Sequence, residues 1–191
     1  MVVFMSAETE NDPYSKLDII LGASGVFQES FEFFSSFSEE KFSQKLETGW
    51  SIAENLEHLI KSSYLIPIAL LLPKFIYIIF GWNKKKSRPY KKVIESYMQK
   101  VKAGAQASFV FSPSKTDLSE YKQPKMLQDW QNIGKSIQEN IGKWSESDLD
   151  RYNMPHPILG MISVREMLFF TIFHIIHHTD KIKEKIEPTQ M

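Results

Sequence analysis

Apolar positions along the chain recur at intervals of three and four, not two. The first run, Leu17, Ile20, Ser24, Phe27, Phe31 and Phe34 with Leu21 alongside, marks one face of a helix over about residues 14–36. A second helix opens where Ser51 and Glu54 form an S-x-x-E capping box, and Ile52, Leu56, Leu59, Ile60 and Ser63 mark its buried side. Met126, Trp130, Ile133, Ile137, Ile141 and Trp144 define another, over about 125–144. The last opens at Ser163 with the box Ser163–Glu166, carries Val164, Met167, Leu168, Thr171, Ile175, Ile182 and Ile186, and ends before Pro188, giving about 163–187. With no comparable run of period two, strands are few or absent. Four long amphipathic helices predict an all-α, antiparallel four-helix bundle forming a single domain over 1–191.

The stretch Tyr64 to Trp82 breaks this regularity. It is almost wholly apolar, and Lys84, Lys85, Lys86, Arg88, Lys91 and Lys92 follow it, the pattern of a membrane span with a positive flank. Pro67, Pro73 and Lys74 stand against a span, since a lysine at mid-bilayer costs about 2.5–3.5 kcal/mol. The reading adopted runs the second helix on to about residue 80 and folds it back on a helix over about 89–105. The result is a helical insertion over about 64–121 between the second and third bundle helices. Membrane contact through residues 64–92 stays open, the lysine cluster reads as a solvated turn, and 109–123 reads as loop from Pro113, Pro124 and its Ser/Thr content.

Composition narrows the chemistry. The 191 residues carry 23 Lys+Arg against 23 Asp+Glu, so the surplus of positive charge that nucleic-acid binding needs is missing. The absence of cysteine removes disulfides, protein thiolate nucleophiles and Cys-type metal sites, leaving any metal to histidine and carboxylate. Residues 1–13 lack a basic n-region and a long apolar run, which points to the cytoplasm.

Of the five histidines, His174, His177 and His178 share the last helix. Residues four apart on a helix lie about 40° apart, so His174 and His178 project together within the Met167–Thr171–Ile182 stripe, while His177 falls at its margin. A third ligand must come from another element. His58 is the remaining helical histidine, one turn after Glu54 and flanking the apolar side of its helix, which leaves its inward orientation open. Three imidazoles would form a site for Zn, Ni, Fe or Mn with positions open to water or substrate. His177 and Glu54 are the candidates for proton handling, although Glu54 is already engaged by its capping box, as is Glu166.

Two segments carry a family resemblance. Trp50-Ser51-Ile52-Ala53-Glu54-Asn55-Leu56-Glu57-His58-Leu59 resembles the W-[ST]-x-x-E-x-L-x-H-L segment of the DinB-like metal-binding superfamily. His156-Pro157-Ile158-Leu159-Gly160 resembles that family's H-P-x-x-G turn, followed at the expected spacing by Ser163, Arg165-Glu166-Met167, His174 and His178. The resemblance implies an up-down-down-up bundle with a long crossover after the second helix. It implies a divalent ion, zinc or nickel, held by His58, His174 and His178, and commonly a homodimer. Relatives include metal-dependent hydrolases and S-transferases that use low-molecular-weight thiols such as bacillithiol or mycothiol. The chain departs from the pattern in its long insertion, and in Thr179-Asp180-Lys181 where the family often has R-G-Q. The expectation is a metal-dependent enzyme that activates water or a small-molecule thiol. The rival is a non-catalytic metal-binding bundle serving as an interaction or membrane-peripheral module.

Overall fold

A computed structural model describes residues 14–106, 109–114 and 122–186. The residues read for a leader, 1–13, and Pro188 lie outside these. Four helices form the bundle: α1 (Lys16–Ser35), α3 (Ile52–Ser63) continued by α4 (Leu65–Leu71), α6 (Gln123–Ile141) and α8 (Val164–Ile186). Between them lie α2 (Glu39–Ser43), a 3₁₀ segment (Lys74–Phe80), α5 (Tyr90–Lys102), a 3₁₀ turn (Phe109–Phe111) and α7 (Glu146–Arg151). A two-stranded antiparallel hairpin, β1 (Asn153–His156) and β2 (Gly160–Ser163), leads into α8.

Long-range hydrogen bonds fix the helix directions. Arg165 at the start of α8 donates to the Tyr14 carbonyl just before α1, so these two helices run parallel. Gln123 at the start of α6 donates to the Phe34 and Phe37 carbonyls beyond the end of α1, so α6 runs the other way. Asn140 and Trp144, at and after the end of α6, donate to the Pro67 and Leu70 carbonyls in α4, placing α3–α4 parallel to α6. The order is therefore up-down-down-up.

Each helix has a local cause. Ser15 and Asp18 close a reciprocal capping box on α1, as Ser51 and Glu54 do on α3. Pro124 sits in the first turn of α6, where a missing N–H loses nothing, so the helix starts at Gln123, the last residue of the stretch read as loop. The expected continuous helix over 51–80 is corrected. Pro67 offers no N–H to the Ser63 carbonyl, which splits α3 from α4 at Tyr64. Leu72, held extended at ψ 144 by the following Pro73, then ends the helix.

The buried face of α1 differs from expectation. Ile19, Gly22, Ala23, Val26, Phe27, Ser30 and Phe34 face the core, while Leu17 is 62% exposed and Leu21 points outward. Small residues decide this: α6 packs so closely that Trp130 reaches Ser30, donating its indole N–H at 2.9 Å, and lies 4.5 Å from Phe27. The hairpin was not anticipated. It is pinned by the buried Arg165, which binds Asp150 at 2.6 Å and Glu146 at 2.7 Å and so ties α7 to α8 and α1. Glu166 is a further correction. Ser163 caps the Glu166 N–H, but the Glu166 carboxylate accepts from Arg88 through its backbone N–H and its guanidinium. Arg88 is therefore not part of a solvated turn, while Lys84, Lys85 and Lys86 are exposed.

Candidate metal centre

The antiparallel run of α3 against α8 brings His58 opposite His174 and His178. All three are buried, at 3%, 5% and 9% exposure, and one ring nitrogen of each lies within 4.8 Å of the others. Their ring centroids form a near-equilateral triangle of 4.6, 4.7 and 4.9 Å. The i,i+4 spacing on α8 sets one edge, and α3 supplies the third vertex. The open question of His58's orientation is thereby answered: it points inward. Trp50 closes one side, 5.0 Å from His58 and stacked near-parallel on His178, and Phe170 stacks on His174 at 4.9 Å.

The tautomers follow from the outer partners. His58 Nδ1 lies 2.7 Å from the Phe111 carbonyl, which can only accept, so this nitrogen carries hydrogen. Asn55 donates its amide N–H groups to the Ser51 and Trp50 carbonyls, which turns its Oδ1 toward His178 Nδ1 at 2.9 Å and makes that nitrogen a donor too. The Ser62 hydroxyl donates to the Leu59 carbonyl, and its oxygen, 3.5 Å from His174 Nδ1, does not fix that ring's tautomer. With the His58 and His178 Nδ1–H groups directed outward, these two rings have their Nε2 lone pairs available at the centre. His58 Nε2 and His174 Nε2 are 3.1 Å apart, a hydrogen bond with His174 as donor that a shared cation can replace. This donor set suits a divalent ion.

Electrostatics agrees. Burial, opposed in part by the Phe111 carbonyl, holds His58 below the usual imidazole range. Burial, reinforced by the other histidines, holds His174 and His178 well below it. Neutral imidazole is the form that binds metal.

The insertion builds the outer partner of His58. Glu57 and Lys61, an i,i+4 pair 2.8 Å apart on α3, grip the strap 109–114. Glu57 accepts from the Ser114 N–H and hydroxyl, while Lys61 donates to the Ser112 carbonyl. That grip places the Phe111 carbonyl on His58.

The two proton-handling candidates sit elsewhere. Glu54 accepts from the Ser51 N–H at 2.7 Å, and His177 stacks on Phe173 at 5.3 Å; neither is in the triangle. His156 is structural: its Nδ1 accepts from the Ile158 and Leu159 N–H groups and closes the hairpin turn. Sequence reasoning missed Asn55, Ser62 and the Phe111 carbonyl. Only Asn55 left a signal, as a poor helix former three residues before a histidine.

A cavity of about 280 Å³ opens beside His58 and His174, walled by α3, α4, the 3₁₀ segment, α5, the hairpin and α8. No helix among the described residues is long and apolar enough to cross a membrane.

The chain matches the family described as the DinB superfamily over residues 25–182. No curated protein and no solved structure matches it.

Proposed function

The chain belongs to the DinB superfamily, and from that premise we propose that His58, His174 and His178 hold a divalent ion, zinc or nickel, in a metal-dependent enzyme that activates water or a small-molecule thiol. The observation that supports this is the convergence of three buried imidazoles whose ring nitrogens lie within 4.8 Å of one another, with the Nδ1–H groups of His58 and His178 committed outward. When bound, the ion would supply a Lewis acid that deprotonates a coordinated water or thiol near neutral pH. The protein's own part is to orient and to exclude water. Asn55, Ser62 and the Phe111 carbonyl hold the rings, and Trp50 and Phe170 pack against them. Water is the leading nucleophile. The thiol reading by family analogy is weakened where Thr179, Asp180 and Lys181 replace R-G-Q, and in the absence of cysteine any thiol would arrive with the substrate.

Metal analysis of protein purified without chelator tests this, with His58→Ala, His174→Ala and His178→Ala beside the parent. About one ion per chain in the parent and marked loss in each variant is the expected result. A metal-free parent removes the enzyme reading. An ion whose removal unfolds the bundle and which has no exchangeable water favours the non-catalytic alternative.

A further inference from the structure

The cavity beside the centre has a wall chemistry of its own. Among the described residues no Lys, Arg, Asp or Glu lines it; the wall is Ile66, Ala69, Ile76, Met154, Met167, Phe170 and similar residues, together with His58 and His174. Three of the wall hydroxyls donate elsewhere, Tyr77 to the Ala69 carbonyl, Thr171 to Met167 and Ser62 to Leu59, which leaves Ser63, Tyr97 and His156 as the other polar side chains of the wall. A polar occupant would lose water and find few partners in exchange. At about 30 Å³ for a water-sized group, 280 Å³ holds roughly nine such groups in a row or cluster.

We propose that this cavity binds an uncharged apolar chain of about eight to ten carbons whose small donor head group reaches the histidine centre. The assignment of the tail stands on the cavity alone, and that of the head rests on the metal-centre reading above. It names the substrate class as a lipophilic molecule with one coordinating end. Molecules that carry charged groups or sugars along the tail do not fit, because these would lie against Ile66 and Phe170 with no lysine or arginine among the described wall residues, whereas a single donor at the end meets the histidines. The insertion makes this difference: Leu65 to Phe80, Tyr97 and Phe111 build the side of the cavity facing α8.

Straight-chain alkanoates from butanoate to dodecanoate serve as the probe, titrated into metal-loaded and metal-stripped protein. Affinity is expected to rise about fourfold per methylene in both forms and to level off near decanoate, with tighter binding in the loaded form. Ala69→Phe, and separately Ile158→Trp at the hairpin turn, should each weaken decanoate at least tenfold and leave metal content unchanged. No dependence on chain length in either form overturns the cavity assignment, whatever the metal does. So does full decanoate affinity in both folded variants. Chain-length dependence with no difference between loaded and stripped protein supports the tail site and counts against the metal-centre reading.

A second observation stands apart from the cavity. The outer face of the same segment exposes Ile68, Leu71, Phe75, Ile78, Ile79 and Trp82, with Phe75 at 70% and Ile79 at 75% exposure. Exposed Lys84, Lys85, Lys86 and Lys91 follow directly in the chain with no acidic residue between Gly81 and Ile94, although Lys86 shares a surface hollow with Asp18, Glu146 and Asp150. An apolar strip edged by lysines on a chain of zero net charge complements an anionic lipid surface. We infer that this face docks on such a membrane. Flotation of the full chain with phosphatidylcholine–phosphatidylserine vesicles at low salt tests it. Binding is expected to fall at high salt, on pure phosphatidylcholine, and in both Phe75→Asp/Ile79→Asp and Lys84→Glu/Lys85→Glu/Lys86→Glu. Absence of flotation overturns the inference. So does a parent that sediments as a dimer and does not float while Phe75→Asp/Ile79→Asp is monomeric, because the face would then seat a second copy.

Discussion

His178 donates its Nδ1 hydrogen to Asn55 Oδ1 at 2.9 Å, across the seam between α8 and α3. Asn55 cannot rotate to offer its amino group instead, because the Ser51 carbonyl at 2.8 Å and the Trp50 carbonyl at 3.3 Å occupy it. The start of α3 thus dictates which nitrogen of a histidine on the facing helix is free. Asn55→Ala removes that control. Metal affinity is expected to fall about 10–100-fold, measured by competition with a chelating dye. The fold should persist, since every ligand remains. Unchanged affinity would show that Asn55 does not set the tautomer.

The strap 109–114 reaches His58 only because α3 holds it. Glu57→Ala removes the acceptors for the Ser114 N–H and hydroxyl and the partner of Lys61. The ion pair is partly exposed, so stability should change by less than about 1 kcal/mol in urea unfolding. Metal affinity should nonetheless drop several-fold, as the Phe111 carbonyl leaves His58. Equal small effects on both would reduce the strap to a surface loop.

How far the sequence disclosed this architecture varied with the type of signal. The His174–His178 pair was legible because α8 is long and uninterrupted, so an i,i+4 spacing fixes a shared face. His58 was legible as the candidate third ligand because it is the remaining helical histidine, but nothing local orients it, and the family resemblance was needed to complete the set. The face of α1 was misread because hydropathy weights large side chains, whereas close packing against α6 and α8 chose Gly22, Ala23 and Ser30. The Glu166 carboxylate was given to its own helix cap because its partner Arg88 lies 78 residues away in sequence. The cavity left no trace, because its walls come from separate stretches that only the fold brings together.

Gly134 on α6 tests the close packing. A Cβ there would lie 2.7 Å from the Phe27 ring, which is itself buried against Trp130. Replacing glycine by alanine in a helix interior gains up to about 1 kcal/mol. Overpacking against a ring that cannot retreat costs about 1–3 kcal/mol. The overlap should win, and Gly134→Ala is expected to be less stable than the parent by about 1–2 kcal/mol in urea unfolding. A stabilised variant would mean that Phe27 has room to move.

His156 sets an acid limit separate from the metal centre. Its Nδ1 accepts from the Ile158 and Leu159 N–H groups, at 3.1 and 3.0 Å, so its proton sits on Nε2. Burial, with Lys100 adding repulsion, pushes its pKa down to about 4 from 6.5. The folded state therefore binds this proton less readily than the unfolded chain. The stability contributed by neutral His156 is complete above about pH 6.5, erodes as pH falls through that value, and is spent below about pH 4. Across that window the loss approaches about 3 kcal/mol. His156→Asn replaces the ring nitrogen with an amide oxygen that can accept the same two N–H groups and does not titrate. Urea unfolding of parent and variant at matched metal content, from pH 7 to pH 4, isolates the contribution, because the other histidines are common to both. The stability difference should shift in favour of the variant as pH falls, by up to the same 3 kcal/mol or so. Parallel pH curves would show that His156 does not govern the turn's acid stability.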